Sequence, residues 1–246
     1  MNDVFTIKEF DKKNREKKHI VFICDHASNY MPKSYKKLGL SEDDFKSHIS
    51  WDIGAKELCI GIAERLDQSC FFSNFSRLLI DPNRCEFSSE LIMQDSCGIR
   101  VPGNKNLNLK DKKKRLTEYY HPYHKSLGNY VKKKQNIYKE ISLVAIHSFT
   151  QNYQKQKRGI EIGLLWNRNM KMLLSIQKQL QKKRIFFASN LPYSGFFYNY
   201  TLDRHSKDGL LNNISIEIRN DLLCNRKRIN KYIKLLSEVL REFAYD

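Results

Sequence analysis

The clearest hydrophobic pattern in the chain is the unbroken run Ile20-Val21-Phe22-Ile23-Cys24, which stops abruptly at Asp25-His26 and small polar residues. A short continuous apolar run rich in β-branched residues predicts a strand buried on both faces, as in a parallel sheet. Similar runs predict strands at Cys70–Phe72, Leu78–Ile80, Leu143–Ile146, Ile160–Leu165, Ile185–Ala188 and Asn213–Ile218. Apolar residues at a period of 3.6 predict helices over Ile53–Leu66, Met170–Gln181 and Arg226–Phe243. Ser41-Glu42-Asp43-Asp44 is a helix start, with a capping hydroxyl and acids in the first turn. Leu109–Ile137 is a lysine-rich helical stretch that Pro122 is expected to interrupt or kink. Met31–Leu40 reads as a loop, and Glu86–Asn108, aperiodic and punctuated by Gly98, Pro102 and Gly103, as a long excursion of the kind that covers a substrate. Strands alternating with helices, with no linker, repeat or break in composition, predict one α/β domain over residues 1–246 with a mainly parallel sheet.

Composition narrows the class. The chain has 246 residues, 41% hydrophobic, and a mean hydropathy of −0.61. That is ample for a core, while nothing approaches the roughly 20 apolar residues of a membrane-spanning helix. The first 18 residues lack the apolar centre of a signal peptide, so the expected location is cytoplasmic. Six cysteines without a CxxC pair or zinc-finger spacing are expected to be reduced, several of them in the core; Cys24 and Cys85 lie near the strand-end residues, where a thiol nucleophile is a minor alternative. The net charge of +17 comes from scattered runs such as Lys112–Arg115, Lys132–Lys134, Lys182–Arg184 and Arg226–Arg228. Without interleaved aromatics or a nucleic-acid motif these read as solvated helix faces, and a positive field also concentrates an anionic substrate.

Chemistry gathers at the carboxyl ends of the strands, where open α/β sheets place their sites. His26 follows one strand, Asn83 and Arg84 another, His147 a third, and Glu217 and Arg219 end the last in IEIRND. Imidazoles and carboxylates are a donor set suited to zinc at ~2.0–2.2 Å, and a catalytic zinc keeps three protein ligands with a fourth position for water or substrate. A nearby carboxylate can carry the proton, and an arginine can fork onto a substrate carboxylate.

The sequence resembles the N-formylglutamate amidohydrolase family through CDHASNYMP, WDIGA, SRLLIDPNR, YYHPYH, AIHSFT, EIGLLWN, NLPYSG and IEIRNDL, in order from Cys24 to Leu222. That family is similar in turn to zinc carboxypeptidases, whose order of a strand-end His-x-x-Glu, Asn-Arg, Ile-His-Ser and Glu-x-Arg is followed here by His26, Asn83-Arg84, Ile146-His147-Ser148 and Glu217-Ile218-Arg219. One departure stands out: Asn29 occupies the place of the ligand glutamate. The resemblance implies a three-layer α/β/α sandwich with a mixed, mainly parallel, zinc-carboxypeptidase-like (phosphorylase/hydrolase-like) sheet. It implies one zinc per chain on His26 and His147, with Asp52 as third ligand or, failing that, Asp25. It also implies Glu217 as general base and then acid, Asn83 and Arg84 holding a substrate carboxylate, and Arg77 polarising the scissile carbonyl or joining that clamp. Tyr193, Ser194, His205 and Arg219 are expected near the pocket, and His121 and His124 behind the site or in the packing. The implied activity is hydrolysis of a small anionic N-acyl amino acid, N-formyl-L-glutamate or an analogue. A different peptide or N-acyl substrate, a metal-free binding module and a basic nucleic-acid-binding protein remain as alternatives, and the oligomeric state is open.

Overall fold

The computed structural model describes residues 3–11, 18–153 and 156–245. Its centre is a seven-stranded sheet. The strands are β1 (Phe5–Glu9), β2 (Lys18–Cys24), β3 (Ser69–Ser73), β4 (Glu140–Phe149), β5 (Ile162–Leu165), β6 (Phe187–Ser189) and β7 (Asn212–Arg219), in the spatial order β1-β3-β2-β4-β7-β5-β6. β3, β2, β4 and β7 run parallel; β1 pairs antiparallel with β3, and β5 antiparallel with β7. The sheet is therefore mixed and mainly parallel, as the sequence predicts.

Alternation along β2 sorts the two faces. Ile20, Phe22 and Cys24 pack with α1 (Ala55–Arg65), α3 (Lys171–Lys182) and α4 (Arg226–Val239) on one side. Val21 and Ile23 pack with α2 (His121–Gln135) on the other, through Tyr123, Leu127, Tyr130 and Val131. Helices on both faces of a sheet make three layers, and they explain why the strand sequence is apolar at every position rather than at alternate ones. Among the described residues no helix is long and apolar enough to cross a membrane.

Four expectations are corrected. Leu78–Ile80 is not a strand: it is wholly buried, but in a turn that sets Leu78 against Leu38 and Val101 and Leu79 and Ile80 in the core under α2, and an apolar run alone does not separate a buried turn from a strand. Met31–Leu40 contains a short 3-10 segment, Lys33–Gly39, and β1 is an edge strand that the sequence reading misses. Pro122 does not break the helical region. A π-turn over Leu116–Tyr120, in which the His121 N–H reaches the Leu116 carbonyl, shifts the register so that proline falls in the first turn of α2, where its missing N–H costs nothing. Finally, Lys134 is not on a solvated face. It is completely buried, donates to Asp11 at 2.8 Å and pairs with Glu9 at 3.2 Å, tying α2 to the β1 end of the sheet.

The excursion over residues 86–108 is ordered by its own anchors. It carries a two-residue hairpin, Asp95–Ser96 with Ile99–Arg100, and is pinned by Asn104, which donates to the carbonyls of Leu78 and Met93. Arg115 in turn donates to Asn104 and to the Leu79 carbonyl.

Candidate active site

The carboxyl ends of β2, β4 and β7 open into a cavity of about 270 Å³. His26 leaves the end of β2, and its carbonyl accepts from the Asp52 N–H at 2.9 Å, which brings the segment before α1 against it. Gly54, at φ +80°, caps that helix in a conformation only glycine adopts freely, and a Cβ there would lie 2.5 Å from the Leu223 side chain. His147 lies near the end of β4. Glu217 is its register partner on β7, so both project from the same face of the pleat.

The donor atoms of His26, Asp52 and His147 converge within 4.8 Å of one another. Asp52 Oδ2 lies 2.8 Å from His147 Nδ1 and 3.4 Å from His26 Nδ1, and it also accepts from the Ser148 N–H. The outer nitrogen of His26, Nε2, pairs with Asp81 Oδ1 at 2.8 Å. Arg77 bridges the two acids, donating to Asp81 at 3.0 Å and to Asp52 at 3.4 Å. Asp25 does not join the cluster around Asp52: it faces Nε2 of His147, at 3.7 Å, while Asp52 takes Nδ1. Asp52, and not Asp25, is the acid that meets both imidazoles at Nδ1.

The charges follow from this geometry. Burial opposes ionisation of Asp52, but His26 and the hydrogen bond from His147 outweigh it and hold the carboxyl well below its usual range. Asp81 is held low in the same way against burial, by His26, Arg77 and Arg84. Burial would make His147 less basic, yet Asp52, with Glu217 and Asp25, raises it to about 9. Glu217 goes the other way. Burial, helped by the charge of Asp52, pushes it up to about 7 against the pull of His147, His26 and Arg77. Its Oε2 is buried without a hydrogen-bond partner among the described residues, as is Nε2 of His147.

These observations fit a divalent metal. Two imidazoles and a carboxylate bring donor atoms within 4.8 Å of one another, one imidazole is already fixed from behind by a carboxylate, and a further carboxylate oxygen stands by without a partner among the described residues. Such a donor set suits zinc better than calcium or magnesium, which prefer all-oxygen shells.

The remaining expected residues divide. Arg77, Asn83, Arg84, Tyr193 and Glu217 line the cavity. Arg84 stacks on the Tyr198 ring, 4.8 Å from its centroid, and donates to Glu90. The Asn83 side chain is engaged with the backbone, donating to the Tyr198 carbonyl and accepting from the Thr201 N–H. Tyr193 accepts from Arg158 at 3.2 Å. Gly163 makes room for its loop: opposite Glu217 in the register, a Cβ there would come within 2.3 Å of the Leu191 carbonyl. Ser194 caps the short helix Gly195–Tyr198.

Two expected residues lie elsewhere. His205 points away from the cavity and pairs with His124 at 3.0 Å, and His124 pairs in turn with the Pro82 carbonyl; burial lowers the two imidazoles to about 4 and about 2. Arg219 is bound to Asp221 and to the carbonyls of residues 158–160, so its fork is occupied by the protein itself. His121 is half-exposed near Glu86, Cys24 is buried in β2, and Cys85 is exposed outside the cavity lining. The sequence reading misses Asp81, Tyr198 and the excursion residues Glu90, Met93 and Cys97, which also line the cavity or hold its histidine; the Asp81-Pro82-Asn83-Arg84 turn was the available signal for the first.

A mixed α/β sheet with a His–Asp–His donor cluster and a free buried carboxylate at its strand ends is the framework of a hydrolase centre. The comparison of sequences makes this specific, for the model of the N-formylglutamate amidohydrolase family matches residues 18–224. The chain belongs to that family. No curated protein matches it in sequence. In structure it is similar to a gene product of Agrobacterium tumefaciens, at 27% identity and a TM-score of 0.92, covering 98% of this chain and 95% of that one. It shares its fold with N-formylglutamate amidohydrolase from Ralstonia eutropha JMP134, at 17% identity and a TM-score of 0.75, covering 98% of this chain and 97% of that one.

Proposed function

We propose that this protein is a zinc-dependent amidohydrolase that cleaves the amide of a small anionic N-acyl amino acid, N-formyl-L-glutamate or a close analogue. The observation that carries the reading is Glu217, a buried carboxylate with one oxygen unpartnered, standing beside the His26–Asp52–His147 cluster. The three clustered side chains would hold the metal through Nδ1 of each histidine and a carboxylate oxygen of Asp52. When bound, zinc supplies a Lewis acid that polarises a carbonyl and makes water acidic near neutrality.

The chain's own residues do the rest. Ionised Glu217 takes the proton of the attacking water at Oε2 and returns it to the amide nitrogen as the C–N bond breaks, one group serving as base and then as acid. Burial raises its carboxyl above the usual range, so that it can release the proton it has taken. Arg77, kept charged by Asp81 and Asp52, faces the cavity where negative charge develops on the carbonyl oxygen. Arg84, aligned on Tyr198, offers its remaining N–H groups to a substrate carboxylate, and Tyr193 closes the wall beside Glu217. Six free cysteines are consistent with a cytoplasmic setting.

The test is release of the free amino acid from N-formyl-L-glutamate, beside other N-acyl amino acids and short peptides, by protein of measured zinc content. Turnover of one of them that disappears on chelation and returns with zinc supports the reading. Zinc-loaded protein that hydrolyses none of them overturns it.

A further inference from the structure

Taking the metal reading of the preceding section as its basis, we infer that Asp25 is a positioning residue for His147, and that Tyr123 and Thr201 set it in that role. Asp25 is 1% exposed, so its carboxylate must find its partners inside the protein. Oδ1 has two: the Tyr123 hydroxyl donates at 2.7 Å from α2, and the Thr201 hydroxyl at 3.0 Å from the short helix Tyr200–His205. Among the described residues Oδ2 has none, and Nε2 of His147, 3.7 Å away, has none either. These two buried atoms face each other, a donor site and an acceptor, about 0.5 Å beyond the long end of hydrogen-bond length.

His26 shows the same arrangement already closed, with Nε2 on Asp81 at 2.8 Å and Nδ1 toward Asp52. Each histidine of the cluster thus presents Nδ1 inward and has its own carboxylate behind. A proton fixed on Nε2 leaves the Nδ1 lone pair for a metal, orients the ring, and makes the nitrogen a stronger donor. Two hydroxyls on Oδ1 prevent the carboxylate from turning that oxygen to His147, so Oδ2 is the one presented. Side chains on α2 and on the Tyr200–His205 helix therefore act on the metal site at second remove.

The experiment is a zinc affinity measurement, by competition with a chromophoric chelator, on stripped wild-type protein, Asp25→Asn and Tyr123→Phe. It is run beside thermal melts of the metal-free forms and the visible spectra of the cobalt-substituted ones. Removal of the outer partner of a ligating histidine typically weakens metal binding 10–100-fold. Asp25→Asn is expected in that range, Tyr123→Phe at several-fold, each with an altered cobalt spectrum. A purely structural role would lower the metal-free melting temperature and leave zinc affinity unchanged. Folded Asp25→Asn that binds zinc as wild type does overturns the inference. Should that variant fail to fold, unchanged affinity in Tyr123→Phe, which loses a single hydroxyl, overturns it equally. Wild-type protein that takes up no zinc overturns the metal reading and this inference with it, whereas zinc-binding wild type with unaffected variants removes the inference alone.

Discussion

Glu217 and His147 are register partners on adjacent parallel strands, β7 and β4, and both point into the same cavity. The sheet itself therefore fixes the distance between the proposed proton carrier and a proposed metal ligand, with no loop between them to relax. Replacing Glu217 by glutamine keeps the shape and removes the basicity. Turnover of the N-acyl substrate should fall ~10²–10⁴-fold, the usual span for a general acid–base group, while zinc content stays at wild-type level. Steady-state rates with metal analysis on the same samples decide it, and a Glu217→Gln protein with near-normal turnover would remove Glu217 from the mechanism.

The same residue should set the acid limb of the activity profile. Burial raises Glu217 from 4.5 to about 7 in the metal-free site, and a bound cation pulls it back down. As a base it must be ionised, so kcat/KM rises with pH through a single ionisation between about 4.5 and 7. That limb should vanish in Glu217→Gln, leaving a low and flat residual rate over this range.

Among the described residues Asp52 is the acid that lies within 3.4 Å of both imidazoles, and it also pairs with Arg77. Asp52→Asn takes away the proposed charged ligand and leaves His147 and Arg77 short of a counter-charge in a buried setting. Zinc binding should be lost, as in His26→Ala and His147→Ala. Breaking a buried pair from one side costs about 3–5 kcal/mol, so the metal-free variant should also melt below wild type. Metal analysis and calorimetry test the two effects separately. An Asp52→Asn protein that retains one zinc would assign the third ligand elsewhere.

Much of this arrangement is legible in the sequence because burial on both faces leaves an unmistakable mark, as in Ile20–Cys24, and because strand-end polar residues stand out against such runs. Leu78–Ile80 carries the same mark and is a turn, since composition records burial and not backbone direction. His26 and His147 can be picked out as candidate metal ligands by type and place, and Asp52 only as one of two candidate acids, with Asp25 the other. Asp81 and Asp25 cannot be assigned to their histidines, because each pairing is made by the packing of distant segments: His26 and Asp81 are 55 positions apart in the chain. His205 illustrates the converse. It is a polar residue in a promising stretch, yet the fold turns it onto His124, where two neutral imidazoles satisfy each other away from the cavity. Lys134 escapes notice for the same reason, one lysine of a run of three having its partners on β1 and just beyond it.

That buried lysine gives a prediction remote from the chemistry. Lys134 is fully enclosed with Asp11, whose side chain is 4% exposed. Lys134→Met keeps the volume and strands the acid, so stability should drop by about 3 kcal/mol with kcat unchanged in the folded protein. Denaturant titration measures the first and the N-acyl amino acid assay the second. Unaltered stability would show that the ion pair contributes no more than an apolar side chain does there.

The metal-free protein should lose stability on the alkaline side, for a reason that metal removes. His147 is raised from 6.5 to about 9: burial disfavours its charge, but the hydrogen bond and charge of Asp52 prevail. Between those two values the folded protein holds a proton that the unfolded chain releases, so this contribution is complete below pH 6.5 and is lost as pH rises to 9. Glu217, raised from 4.5 to about 7, acts in the same sense at lower pH. His19, His124 and His205 act oppositely. Burial lowers them to about 3, 2 and 4, so their contribution is complete above 6.5 and is lost as pH falls. The melting temperature of the stripped protein should therefore pass through a maximum near neutrality and decline toward pH 9. With zinc bound, Nδ1 of His147 would hold metal in place of a proton, and the decline should flatten. Melting curves from pH 5 to 9, with and without zinc, give the comparison. Parallel curves across 6.5–9 would mean that His147 does not exchange its proton for the metal.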